Sequence, residues 1–203
     1  MTHTTAAPSA PSTTDSSSTT AWRGLRTLHL VRAAFSVVWV AVLLTTSMDL
    51  VGADEPTLIA GILLVLYPAW DVAATFLERR LAGAGSASRV GVFNIALGVA
   101  AAVAMTVAVL TTIGSAFLVF GAWALLSGAA QLTVAVRRRH EVGAQWPMII
   151  SGALSVLAGG SIAAMTTSDT SGLGTMAGYS AVGAFWFIVS AVALTVRGRR
   201  ATR

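Results

Sequence analysis

From Leu30 onward the chain alternates apolar stretches of about 20 residues with short polar breaks, and a helix of that length covers the roughly 30 Å of a bilayer's hydrocarbon core. Six such stretches can be read: Val31–Leu50, Thr57–Leu77, Val90–Leu110, Ile113–Val136, Gln145–Met165 and Met176–Val196. Their apolar character is continuous rather than alternating, and an open strand edge in lipid would leave backbone groups unpaired. The expected fold is therefore all-α, a polytopic membrane protein with six transmembrane helices.

Composition points the same way. Charged residues make up 10% of the 203, against about 25% in a soluble domain, which is too few to hold an ordinary globular surface in water. The absence of cysteine excludes disulfide frameworks, iron–sulfur clusters and thiolate zinc sites. Residues 1–21 differ from the rest. They are almost entirely Thr, Ser, Ala and Pro, with too little apolar surface to offset the entropy of ordering, and are expected to form a disordered tail. They lack the basic start and apolar run of a signal peptide. The membrane domain is accordingly placed at residues 22–203.

The cations fall on one side of this arrangement. All thirteen are arginines: Arg23, Arg26 and Arg32 precede the first span, Arg79, Arg80 and Arg89 follow the second, Arg137, Arg138 and Arg139 follow the fourth, and Arg197, Arg199, Arg200 and Arg203 follow the sixth. The first, third and fifth connections hold Asp49, Asp54, Glu55 and Asp169 and no cation. Thirteen arginines against Asp15, Glu78 and Glu141 leave +10 on one side, the four acids put −4 on the other, and Asp71 within a span completes the formal +5. By the positive-inside rule both termini are expected in the cytoplasm. The net charge thus describes orientation, and nucleic acid is not an expected partner.

The spans also repeat. Gly121-Ala-Trp-Ala-Leu-Leu-Ser in the fourth aligns with Gly183-Ala-Phe-Trp-Phe-Ile-Val in the sixth, and both finish Leu-Thr-Val before arginine. The second joins them through Gly61, Tyr67 and Arg79-Arg80, while odd-numbered spans share a small residue at Ser36, Gly98 and Gly152. The simplest account is a helical hairpin of about 55–60 residues repeated three times. Under that alignment Asp71 falls opposite Gln131, and Arg32 opposite Asn94. Each lies about 20 residues from its turn, so the four share a depth of roughly 10 Å from the cytoplasmic edge. The third hairpin breaks the pattern with Met148 and Ala193.

Asp71 is the acidic residue deep within a span, in the run Tyr67-Pro-Ala-Trp-Asp71. An intramembrane carboxylate is costly when charged and unpaired. Three readings stay open: an ion pair with Arg32, a protonatable site whose pKa desolvation raises, or a shallow position facing water. Pro68 removes a donor three residues earlier and frees the carbonyl of Leu64, which suits a kink or packing site.

Gly114, Gly121, Gly128 and Ala135 recur every seven residues on one face of the fourth span, as expected of a close helix–helix contact. Trp22 and Trp146 sit at predicted interfaces, and Trp39, Trp70, Trp123 and Trp186 lie deeper, where packing is expected. Other chemistry is thin. His29 and His140 have no histidine or carboxylate at ligand spacing, Gly83-Ala-Gly85 lacks a strand–helix context, and no serine sits in a nucleophile elbow. No metal, no cofactor and no enzymatic activity are expected.

Phe120-Gly-Ala-Trp-Ala-Leu-Leu-Ser-Gly-Ala-Ala-Gln-Leu-Thr-Val-Ala-Val-Arg-Arg-Arg, then Gly143-Ala-Gln-Trp-Pro-Met-Ile-Ile-Ser-Gly-Ala-Leu-Ser-Val-Leu-Ala-Gly, and Leu66-Tyr-Pro-Ala-Trp-Asp71 resemble the HdeD-like family of small bacterial membrane proteins. The resemblance covers roughly residues 30–200. It implies six transmembrane helices built from repeated hairpins and a part in acid-stress resistance at the inner membrane, without a defined molecular activity. Arginine without lysine and abundant alanine also fit a GC-rich bacterial genome. Two other functions are compatible with the residues: a proton-coupled transporter or channel using Asp71, Gln131, Asn94 and Arg32, or a scaffold whose arginine-rich face binds anionic lipid or a partner. The expected partner is the lipid bilayer, with a homo-oligomer left open.

Overall fold

A computed structural model describes residues 13–47, 55–81, 89–138, 146–165 and 173–201. Among these residues the regular elements are six α-helices and no strand: α1 (Thr13–Ser47), α2 (Leu58–Leu81), α3 (Arg89–Ala108), α4 (Ile113–Arg138), α5 (Trp146–Ala164) and α6 (Leu173–Ala201). Five contain runs long and apolar enough to cross a membrane, whereas the run in α5, Met148–Ala164, is shorter. The 19 residues of α5 still rise about 28 Å, close to the hydrocarbon thickness.

The helix ends depart from the sequence expectation in one place. Helix α1 begins at Thr13, so residues 13–21, expected to be disordered tail, continue the first helix. The serine and threonine there extend a helix that the following apolar run already nucleates, and growth from an existing turn costs far less entropy than starting one. Residues 1–12 of that tail lie outside the described residues.

Each helix packs on its neighbours in sequence, and α6 returns to α1, so the six form a closed ring. The closest packing joins the hairpins to one another: α2 on α3, α4 on α5 and α6 on α1, with looser contacts inside each hairpin. Glycine makes the α4–α5 contact possible. A Cβ on Gly121 would stand 2.5 Å from Gly159 O, and one on Gly159 2.7 Å from Gly121 O. One heptad along, the corresponding distances between Gly128 and Gly152 are 3.0 and 3.1 Å. Backbone therefore lies on backbone at two levels, as small-residue stripes in membrane helices allow. Gly98 plays the same part between α3 and α2, where a Cβ would meet Val72 at 2.6 Å and approach Pro68 O. Gly114, at the start of the stripe, is half-buried, and Ala135 at its end is buried.

Part of the ring interior is filled. Trp39, Leu64, Met105, Phe117, Phe120 and Met176 meet there, drawn from α1, α2, α3, α4 and α6 and all essentially inaccessible. Trp39 also donates its indole Nε1–H to Leu63 O at 2.7 Å, next to the carbonyl that Pro68 frees. The outward faces carry Val38, Ile62, Val103, Leu157, Phe185 and Val192, exposed apolar side chains that suit a lipid solvent.

Candidate functional site

Beside this packed cluster the ring is hollow. A cavity of about 890 Å³ lies between the helices and receives residues from all six. Arg32, Asp71, Asn94 and Gln131, the four residues of the expected polar layer, all line it. Its lining reaches the arginine-bearing helix ends through His29, Glu78 and Arg79, and follows α5 from Met148 to Ile162 and α6 from Thr175 to Ser190.

Arg32 organises the charged wall. It is buried on α1, donates from one amino group to Asp71 Oδ1 and from the other to Glu78 Oε2 at 3.0 Å. Asp71 and Glu78 are seven residues apart on α2, which is two helical turns and hence the same face. One planar fork can therefore hold both carboxylates. The opposite side of the guanidinium lies 4.5 Å from the centre of the Phe187 ring on α6, so the same group ties α1 to α2 by charge and to α6 by a cation–π contact.

The second hairpin does not copy this pairing. Gln131 Nε2 donates to Met148 O at 3.3 Å, across the α4–α5 contact. Asn94 Oδ1 is buried without a hydrogen-bond partner. The two amides thus share the cavity with the ion pair but do not bond each other as their charged counterparts do.

Aromatic and hydroxyl groups complete the walls. Tyr67 packs tilted on Trp39 with ring centroids 4.6 Å apart and edge-on to Trp123 at 5.9 Å, while Trp70 stacks on Phe35 at 4.7 Å. The Tyr67 hydroxyl faces Ser36 and Ser180. Ser155 and Tyr179 share a hydrogen bond of 3.3 Å between α5 and α6.

Residues 89–164 match the model of a short repeat of unknown function (DUF308). No curated protein and no solved structure matches the chain. The matched repeat spans α3, α4 and α5, so it contains both amides of the polar layer and both glycine contacts of the α4–α5 pair. It leaves Arg32, Asp71 and Glu78 outside.

Sequence reasoning overlooked Glu78, counting it among the loop charges. Its spacing of seven from Asp71 was the available signal, since it puts a second carboxylate on the same stripe of α2. Trp70, Trp123 and Trp186, expected to pack, also contribute to the cavity wall, Trp123 as a member of the buried core. For these no local signal distinguishes a ring facing a void from one facing a core.

Proposed function

We propose that this chain is an HdeD-like protein of the bacterial inner membrane, with both termini cytoplasmic, that acts without covalent chemistry as a proton-coupled carrier of a small solute, and that this activity supports tolerance of acid or envelope stress. The matched repeat is the domain found in HdeD-like proteins, and the arginines sit at one end of the helices as positive-inside orientation requires. One observation carries the carrier reading: the Arg32–Asp71–Glu78 cluster borders a large cavity instead of being packed over. Groups that bind a carried solute must be reachable from a cavity, whereas a pair that only joins helices has no such need.

Flux measurements test the proposal. Liposomes holding an entrapped pH-sensitive dye should acidify faster with the protein than without it when the outside pH is lowered, and Asp71→Asn should abolish the difference while the protein stays folded. A variant that loses stability with its flux unchanged would make the pair purely structural. In cells, deletion should lower survival of an acid shock, and survival equal to the parent would remove the stress role.

A further inference from the structure

The carrier reading leaves the solute unnamed, but the lining restricts its chemistry. The acidic groups of the cluster are reachable and the basic one is covered. Side chains of Asp71 and Glu78 keep 28% and 39% of their surface, whereas that of Arg32 keeps 10%. Arg32 is also engaged on every side, between two carboxylates and the Phe187 ring. Each carboxylate gives one oxygen to Arg32 and has lone pairs left over.

Two further polar groups of the lining are engaged with backbone. Gln131 spends its amide N–H on Met148 O, and His29 donates Nδ1–H to Leu25 O at 2.8 Å. The remaining cation of the lining, Arg79, follows Glu78 directly on the last turn of α2, about 12 Å along the axis from Asp71. Around Arg32 the reachable charged groups are therefore the two carboxylates. The complement to such a wall is a donor-rich, positively charged group.

The remaining walls suit what such a group would be attached to. Tyr67, Trp70, Trp123 and Trp186 add aromatic surface to the lining, which favours a cation electrostatically and an apolar body by burial. The volume falls in the range of pockets that enclose small organic molecules.

We propose that the cavity binds a small organic ammonium ion with an apolar or aromatic body, its N–H groups donating to Asp71 and Glu78 and its body lying against the aromatic wall. The assignment rests on the carrier reading and adds the class of solute to it. An anion of the same size would meet the two carboxylates first and find Arg32 covered.

The test is calorimetric titration of the full-length protein in micelles with phenethylamine, 3-phenylpropionate and 2-phenylethanol, probes of similar shape that differ in charge. Phenethylamine should bind at least about tenfold more tightly than 3-phenylpropionate, as expected where charge complementarity selects the ligand. Glu78→Gln, which leaves Arg32 its bond to Asp71, should weaken the amine about fivefold and leave the neutral alcohol unchanged. Gly178→Phe should weaken every probe by filling the cavity. A Cβ at Gly178 meets nothing within 4 Å, so the new side chain starts into open space, and a retained unfolding midpoint in micelles checks that the variant folds. Equal or tighter binding of the carboxylate, or an amine affinity indifferent to Glu78→Gln, would overturn the cation assignment. Absence of binding by all three probes would overturn it too, while proton flux into liposomes would still decide the carrier reading separately.

Discussion

Arg32 on α1 and Asp71 on α2 form an ion pair across 39 residues of sequence, inside a ring of apolar helices and on the wall of its cavity. The pair joins the two helices of the first hairpin, whose contacts are otherwise sparser than those between hairpins. Through Phe187 the same arginine reaches α6, so the point where the ring closes and the point where charge enters the membrane region coincide.

Removing one partner leaves the other unpaired in a poorly solvated place. Asp71→Asn should cost about 2 kcal/mol, below the 3–5 of a fully buried pair because Arg32 retains Glu78. The double variant Arg32→Met with Asp71→Leu should lose less than the two single changes added together, since no uncompensated charge remains. Unfolding of the four proteins in micelles measures this coupling.

The α4–α5 contact tolerates no side chain at its closest point. Gly121→Ala places a methyl against the backbone of α5 and should destabilise by about 1–3 kcal/mol, the usual cost of overpacking. Gly174→Ala, where a Cβ meets nothing within 4 Å, should be neutral or stabilising by up to about 1 kcal/mol, as expected when a helical glycine is replaced. Thermal unfolding of the two variants side by side would separate packing from propensity.

Trp39 sits in the packed part of the ring interior and makes a hydrogen bond there. Trp39→Phe keeps most of the packing and removes the bond to Leu63 O, for an expected loss of about 1 kcal/mol. Trp39→Ala should lose about 3–5 kcal/mol, because the cavity left behind has no atoms to fill it. Chemical denaturation of both variants reads the difference.

The orientation proposed from the arginines has a direct check. Reporter fusions at His140 and at Thr170, both outside the described residues, should report opposite faces of the membrane, His140 being cytoplasmic. The same face for both would overturn the six-span topology.

Several features of the site were legible without coordinates. The pairing of Arg32 with Asp71 could be anticipated because antiparallel helices of equal rise bring residues equidistant from a turn to one depth. The stripe of Gly121 and Gly128 announced a close contact, and Gly152 and Gly159 repeat its spacing of seven on the helix that receives it. Asn94 and Gln131, placed at one depth by the same reasoning, line the same cavity without bonding each other. An amide can satisfy itself on a neighbouring carbonyl, as Gln131 does on Met148, whereas a buried guanidinium calls for a carboxylate.

Helix number, sequence order and the segregation of arginines belong to the sequence by itself, because each depends on the length of an apolar run and on where charge interrupts it. Bilayer thickness sets that length, whatever the rest of the chain does. Which faces meet was decided by tertiary structure alone. That α2 packs on α3 rather than closely on α1, that α6 closes on α1, and that part of the ring interior is filled by Trp39 and Phe120 while the rest stays hollow are results of side-chain volumes and backbone approach between distant segments. Lipid tails are as apolar as the helix surfaces, so hydrophobicity does not choose among those arrangements; close packing and the few polar contacts do.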